Sequence, residues 1–349
     1  MSRCTEASES EKRPEVNELS VVLISKNQAW NMARLVESVL HETAQLGETI
    51  ASCEIILVDS ASTDATIDIA RRYPIRILRL RPDQHLGPAA GRYVGYSHTR
   101  GCLTLFMDGD TELYPGWLAK GISALNLHPD VAAVTGARIE LLTTCRPEDK
   151  PPLVDVPVGQ ASELRQTGGI ALYRRSVLEQ VGCFNPYLCS DEEPDLCIRI
   201  RRAGYRLLRL EHPIFYEYTD PKATPSTKIA RWKRNLYLGG GQNLRYHLGR
   251  NTFWQVLRER GFGLAPLAWL ALGIGSLLPW VLTGQVRWPI AWLALSASII
   301  LFDGLRKRSF YRTWTSLVER MLIAEGTVRG FLRRPHPPES YPGRHDVIQ

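Results

Sequence analysis

The sequence predicts an α/β domain on a mostly parallel sheet layered by helices, followed by a transmembrane helical hairpin and an amphipathic helix. Two observations carry this. Between Leu19 and Arg209 short β-branched runs alternate with helical patterns, the order that βαβ units require. From Phe262 to Gly284 the chain then carries no charged residue, over about the length needed to cross a hydrocarbon core of roughly 30 Å.

Residues 1 to 17, "MSRCTEASESEKRPEVN", are charged and polar, which predicts a disordered tail to residue 18 and argues against secretion. "LSVVLIS" is the first strand. After it Asn31 stands where a helix cap belongs, and Met32, Leu35, Val36, Val39 and Leu40 recur at helical spacing. The second strand, "EIILVD", ends at Asp59 and passes through "SASTD" into the helix "ATIDIARRY", with Ser62 or Thr63 as cap and Asp64 in the first turn, where the macrodipole favours an anion. A third run, "IRILRL", leads through "RPDQHLGPAAGRYVGYSHTRG" into a fourth, "CLTLFMD", which ends at Asp108. Open α/β sheets bind ligands beyond the carboxyl ends of their strands, so Ser25, Asn27, Asp59, Asp108 and Asp110 are expected on one rim. A D-x-D pair is uninformative alone, but at a strand end it becomes a candidate site for a hard cation.

The second apolar run, Trp288 to Phe302, is shorter than the usual minimum of about 17 residues, and Val286 with a snorkelling Arg287 extends it. The two runs make a hairpin. "LRER" precedes it and "LRKRSFYR" follows it, so the positive-inside rule puts both ends in the cytosol, at the inner (plasma) membrane. From Phe310 to Arg334, Trp314, Leu317, Val318, Met321, Leu322, Val328, Phe331 and Leu332 step at three and four among basic and acidic residues, which predicts an amphipathic helix along the membrane surface. "PHPPESYPGRHDVIQ" reads as unstructured. The net charge of +7 comes with no nucleic-acid motif, so no nucleic-acid partner is expected and a membrane surface is. Seven cysteines without a C-x-x-C pair read as reduced cytosolic thiols.

The series "SVVLISKN", "EIILVDSASTDAT", "GPAAGRYVGY", "LFMDGD", "TGGIALYRR" and "SDEEPDLCIRIRRAGYRL" resembles, in order and spacing, the inverting glycosyltransferases of family 2, of the membrane-anchored bacterial type. The resemblance covers about Leu19 to Arg209. It implies the GT-A nucleotide-diphospho-sugar transferase fold. It also implies transfer from a nucleotide-sugar, expected to be UDP-linked, to a lipid-linked or glycan acceptor, in cell-envelope or extracellular polysaccharide or glycolipid synthesis. A departing diphosphate gains negative charge, which a divalent cation on one or two carboxylates neutralises. The resemblance puts Asp108 near the ribose and makes Asp110 the more direct ligand of Mg²⁺ or Mn²⁺. Asp59 matches the family's uracil-contacting Asp, with Ser25 and Asn27 beside the nucleotide; Ser60 stands where relatives often carry a second acid. Gly87 permits close backbone approach, and Arg92 matches an Arg that can pair with phosphate. Gly168 and Gly169 match the segment lining donor sugar and acceptor. His212 or Glu217 falls near where relatives often place a further metal ligand.

"SDEEPDLC" supplies Asp191, Glu192, Glu193 and Asp195, and the resemblance places Glu193 at the general base with Glu192 beside it, Glu standing where Asp is commoner. Which of the two is the base stays open. The helix behind them is expected from near Pro194. "KIARWKRN" is similar to the Q-x-x-R-W motif of processive synthases, with Arg231 and Trp232 in place but Lys228 where Gln belongs. Two spans are few for a translocation channel, so transfer of one or a few sugars is favoured over processive synthesis. A non-catalytic scaffold would be favoured by loss of the aspartates or the acidic run, and both are present. The predicted organisation is a tail (1–18), a catalytic domain (19–220), a membrane-proximal acceptor-loop segment (221–260), the hairpin (261–303), and the amphipathic helix with its tail (304–349).

Overall fold

The computed structural model describes residues 17–153, 161–219 and 224–349. The expected N-terminal tail, apart from its last residues, lies outside the described residues, as does the boundary at 220/221.

The chain opens with β1 (Asn17–Ser25), α1 (Met32–Gln45), β2 (Ile50–Asp59), α2 (Thr66–Ala70), β3 (Arg76–Leu80), α3 (Pro88–Ser97), β4 (Leu103–Asp108), β5 (Thr111–Leu113) and α4 (Trp117–Leu127). It continues with β6 (Val131–Leu142), β7 (Ala161–Glu163), β8 (Ala171–Arg174), α5 (Arg175–Val181), α6 (Glu192–Arg202) and β9 (Arg206–Thr219). Then come α7 (Pro225–Lys233), α8 (Gly239–His247), α9 (Phe253–Arg260), α10 (Ala265–Thr283), α11 (Arg287–Lys307), α12 (Phe310–Leu332) and β10 (His345–Val347).

The sheet runs β10-β3-β2-β1-β4-β8-β6-β9-β5, with β7 on β9. Strands β3, β2, β1 and β4 are parallel, as βα alternation predicts, and β6 with β9 is parallel too. β8 runs antiparallel between β4 and β6, and β5, β7 and β10 also pair antiparallel, so short antiparallel pairings are added to a sheet whose long ladders are parallel. Alternate residues of β1 feed two cores. Val21 and Leu23 pack with α1 and α4, whereas Val22 and Ile24 pack with α3 and α6. Helix α3, formed within the connection "RPDQHLGPAAGRYVGYSHTRG", lies close on β1: a Cβ on Gly95 would sit 2.3 Å from Val22 Cγ1. That close approach brings Arg92 to the strand ends.

Three local expectations are corrected. Asn31 does not cap α1; its side chain is drawn to the β4–β5 turn described below. Neither Ser62 nor Thr63 caps α2; Asp64 Oδ1 accepts from the Thr66 N–H at 3.1 Å. The Pro-rich C-terminus is structured. β10 pairs with the outer edge of β3, Tyr341 is buried and donates its hydroxyl to the His85 carbonyl at 2.6 Å, and Asp346 pairs with Arg81 at 2.7 Å. An open sheet edge favours such a strap, because it satisfies backbone groups that would otherwise face water.

Helices α10 and α11 are each long and apolar enough to cross a membrane, and only 11% and 6% of their apolar stretches are buried within the protein. Core helices of a water-filled surround would be covered, so these faces are suited to lipid. α11 outruns its predicted end at Phe302 because Asp303 pairs with Lys307 at 2.7 Å and accepts from Thr313 Oγ1 at 2.9 Å. α12 presents exposed Phe310, Tyr311 and Trp314 at one end, while Gly326 and Gly330 let its other end dock on the backbone of Tyr237 and Leu238.

Candidate active site

Ser25 and Asp59 are register partners across β1 and β2, and Ile24 pairs with Asp108 on β4, so three strand ends meet on one rim as expected. Asp59 is fully buried. Its Oδ2 accepts from the Ser62 N–H at 2.8 Å, and Ser25 Oγ lies 3.5 Å from Oδ1. Asn27, at φ 55°, accepts from the Thr63 N–H through Oδ1 and donates its own N–H to Ser62 Oγ, each at 2.8 Å. The loops after β1 and β2 are thereby laced into one wall.

Asn31 Nδ2 donates to the carbonyls of Gly109 at 3.1 Å and Thr111 at 2.9 Å, and Thr111 Oγ1 donates to the Asp108 carbonyl at 2.7 Å. These bonds set the turn that carries Asp108 and Asp110. Burial, then the neighbouring Asp108 and Glu217 charges, push Asp110 up to about 6. Sequence reasoning missed this role for Asn31, because an Asn ahead of an apolar-periodic run signals a cap.

Arg92 is the centre of the site. Its side chain is 1% exposed; Nη2 lies 2.6 Å from Asp108 Oδ1, Nη1 lies 2.7 Å from Glu192 Oε1, and Glu193 Oε1 is 3.4 Å away. Burial alone would lower the guanidinium's value, but Asp108, Glu193 and Glu192 together hold it raised. The residue expected to face phosphate is therefore committed to carboxylates. Burial and the adjacent Glu193 push Glu192 up to about 8 against the pull of Arg92, and burial raises Glu193 as well. The helix bearing them starts at Glu192, two positions before Pro194, which sits within its first turn.

Gly169 covers this cluster. A Cβ there would lie 2.6 Å from Arg92 Nη2 and 2.7 Å from Asp108 Oδ2, and Gly168 before it turns at φ 77°. Gly87, at the start of α3, has only ordinary contacts around the Cβ position, the nearest at 3.6 Å, so no close approach within the protein demands a glycine there. A cavity of about 690 Å³ opens beside Asp108, Gly168 and Gly169, with Gln166, Arg209 and Glu217 in its walls. Glu217 pairs with Arg138 at 2.8 Å, and burial raises its carboxyl. His212 stays out of the cavity: it is buried against the Tyr114 ring, with Nε2 3.3 Å from the Pro115 carbonyl. Trp232 is also turned elsewhere, donating Nε1–H to Glu325 of α12 at 2.6 Å. The cysteines among the described residues are all free thiols.

Residues 20–182 match the model of glycosyl transferase family 2. The chain is 24% identical over 279 residues to glycosyltransferase AglE of Haloferax volcanii, covering 77% of this chain and 85% of that protein. It is 26% identical over 289 residues to the pre-mycofactocin glycosyltransferase of Mycobacterium tuberculosis, covering 78% of this chain but 57% of that one. Its fold is that of the mannosyltransferase PcManGT of Pyrobaculum calidifontis, solved with GDP-Man and Mn²⁺, at a TM-score of 0.55 and 19% identity over 92% of this chain and 91% of the other. With the strand-end rim, the carboxylate cluster and this GT-A architecture in agreement, the stretch 20–182 is a glycosyl transferase family 2 domain and the chain is a glycosyltransferase.

Proposed function

We propose that the protein is a metal-dependent, inverting, membrane-anchored glycosyltransferase that moves one or a few sugars from a nucleotide-sugar to a lipid-linked or glycan acceptor at the cytosolic membrane face. The observation that carries the reading is the Arg92 junction. It joins the Asp108 turn, where a leaving diphosphate would sit, to the Glu192–Glu193 pair, where an acceptor hydroxyl would lose its proton, directly behind Gly169, which lines the cavity with Asp108.

The residues present fit a divalent cation. The Asp110 backbone carbonyl takes the Tyr218 N–H at 3.0 Å, but its carboxylate accepts no hydrogen bond from another residue among the described ones, and burial beside the Asp108 and Glu217 charges raises it, a penalty that a cation would relieve. Among the described residues no three or more His, Cys, Asp or Glu side chains gather as a metal cage, so Asp110 and Asp108 would supply part of a shell that phosphate and water complete. A bound Mg²⁺ or Mn²⁺ would supply Lewis-acid neutralisation of the departing diphosphate. Asp59, Ser25 and Asn27 hold the nucleotide side, and Gly168 and Gly169 leave space for the sugar.

For the base, exposure favours Glu193 over Glu192, at 19% against 5% of the side chain. Glu192, bonded end-on to Arg92, orients the pair. In a single displacement Glu193 takes the proton of the attacking hydroxyl on the face opposite the leaving group, which inverts the anomeric carbon. The exposed α10–α11 hairpin and the aromatic residues Phe310, Tyr311 and Trp314 support membrane anchoring, and anchoring in turn supports an acceptor presented by lipid. Two spans, and a Trp232 bonded to α12, favour limited transfer over processive synthesis.

The test is nucleoside diphosphate release by the detergent-purified protein from a panel of UDP-, GDP- and dTDP-sugars, with Mn²⁺, Mg²⁺ or EDTA and with lipid extract as acceptor. Metal-dependent release from one donor supports the reading and names the donor. Uracil is the base expected from Asp59, and so a UDP-linked donor, while the similar mannosyltransferase was solved with GDP-Man. No release from any donor, with no metal-dependent nucleotide binding, would move the weight to a non-catalytic scaffold.

A further inference from the structure

The residues before α6, Tyr187 to Asp191, form no helix or strand, and Asp191 adopts the left-handed φ of 58° before the chain enters the turn bearing Glu192 and Glu193. Such a segment needs outside partners for its backbone groups. It finds them on α8. Gln242 Oε1 accepts from the Cys189 N–H at 3.0 Å, and Gln242 Nε2 donates to the Tyr187 carbonyl at 3.0 Å. Asn243 Nδ2 donates to the Asp191 carbonyl at 2.8 Å, and the Gly239 N–H donates to Ser190 Oγ at 3.2 Å.

Glycine makes this contact possible. A Cβ on Gly239 would sit 2.1 Å from the Ser190 carbonyl oxygen, so no other residue lets α8 come so close. On its far side α8 is fixed by α12: a Cβ on Gly241 would meet the Thr327 carbonyl oxygen at 1.8 Å. α8 is thus a rigid bracket, held by one helix and holding the acidic loop. The glycine triplet "GGGQN" reads in sequence as a helix breaker, and only the packing explains it.

We infer that Gln242 and Asn243 are positioning residues for the reaction, setting the acidic loop so that the first turn of α6 holds its carboxylates against Arg92 and behind Gly169, which lines the cavity. This rests on the proposed transferase reading. Neither side chain lines the cavity beside Asp108, so both act through the loop backbone. Gln242 is suited to the task because one amide group accepts at one end of the loop and donates at the other, which no hydroxyl or carboxylate does with the same reach.

The experiment uses the full chain in detergent. Nucleoside diphosphate release is followed from the donor that the wild type consumes, UDP and GDP binding is titrated with Mn²⁺, and hydrogen exchange is measured over 187–193. Gln242→Leu is expected to lower kcat by about 10- to 100-fold, as a base displaced by about an ångström would. The donor KM stays within about twofold and the Cys189 amide exchanges faster, because the nucleotide wall is built on other elements. Gln242→Glu, which keeps the acceptor for Cys189 and loses the donor to Tyr187, is expected to recover part of kcat, and Asn243→Leu to behave as Gln242→Leu does. A kcat within about twofold of wild type overturns the inference. So does a fall in kcat that is matched by equal losses of nucleotide affinity and melting temperature, which marks a merely structural role. If the wild type itself releases no nucleotide, it is the transferase reading that fails, and the inference falls with it.

Discussion

Arg92 binds Asp108 through Nη2 at 2.6 Å while its other terminal nitrogen, Nη1, is held by Glu192 at 2.7 Å, so one buried guanidinium spans the two halves of the site. Only the planar fork of arginine serves both partners at once, since an ammonium is a point charge. Arg92→Lys is expected to keep the charge and lose the bridge, lowering turnover by about tenfold or more. Arg92→Leu strands buried carboxylates and should cost about 3–5 kcal/mol of stability. Turnover and denaturant unfolding of the two variants check this.

Asp110 should show function opposing stability. Its carboxyl is pushed up to about 6 by burial and by Asp108 and Glu217, so the folded protein disfavours its charge. A carboxyl whose folded value exceeds its unfolded one weakens the fold as pH rises above the unfolded value, near 3.9. Asp110→Asn removes that penalty. It is expected to leave the metal-free protein as stable as wild type at pH 7 or more so, with the difference vanishing below about pH 4, while metal-dependent nucleotide binding and turnover fall by about 100-fold. Melting curves in EDTA, set beside turnover in Mn²⁺, test both halves.

The strand-end rim was legible because β1, β2 and β4 each close an apolar run at a polar residue, and parallel pairing brings those ends together. What escaped were interactions between distant segments. Asn31 carries the local signature of a cap, yet its amide is taken by Gly109 and Thr111, far along the chain. Arg92 looked free to meet phosphate because nothing nearby in sequence shows the two glutamates that take it. The C-terminal strap reads as disorder by composition; it is ordered by the open edge of β3, which no local pattern reveals. β8 lies within "TGGIALYRR", which carries no strand signal of its own, and its antiparallel insertion between β4 and β6 depends on the path of the whole chain.

The buried Asp195 ties α6 to the end of α8. It pairs with Arg199 at 2.7 Å and with His247 Nε2 at 2.6 Å, and Thr252 Oγ1 lies 2.6 Å from the other imidazole nitrogen. Burial would raise this carboxyl, but Arg199 and His247 outweigh burial and hold it below its ordinary value. A carboxylate lowered in this way stabilises the fold above its unfolded value, near 3.9, and the contribution is lost as pH falls through the folded value. Asp195→Asn is expected to cost about 3 kcal/mol at pH 7, since it leaves Arg199 buried without its partner. That cost should shrink on acidification below about pH 4, as the wild type loses the same charge. Unfolding free energies of both proteins from pH 3 to 8 measure the convergence.

Glu192 and Glu193 share Arg92 but differ in access, and their variants should differ in kind. Glu193 has the more exposed side chain, so Glu193→Gln is expected to cut turnover by about 10² or more, the usual worth of a general base, with nucleotide affinity retained. Glu192 is bonded end-on to the guanidinium and nearly covered; Glu192→Gln keeps its shape and removes a negative neighbour, so a measurable part of the rate should remain. The pH profile separates them further. Burial raises both carboxyls, so the acid limb of the wild-type kcat/KM should lie above the ordinary glutamate range. Without the Glu192 charge, Glu193 ionises more readily, and the acid limb of Glu192→Gln should move to lower pH. A Glu192→Gln limb that stays in place, with Glu193→Gln active, would reverse the assignment and make Glu192 the base.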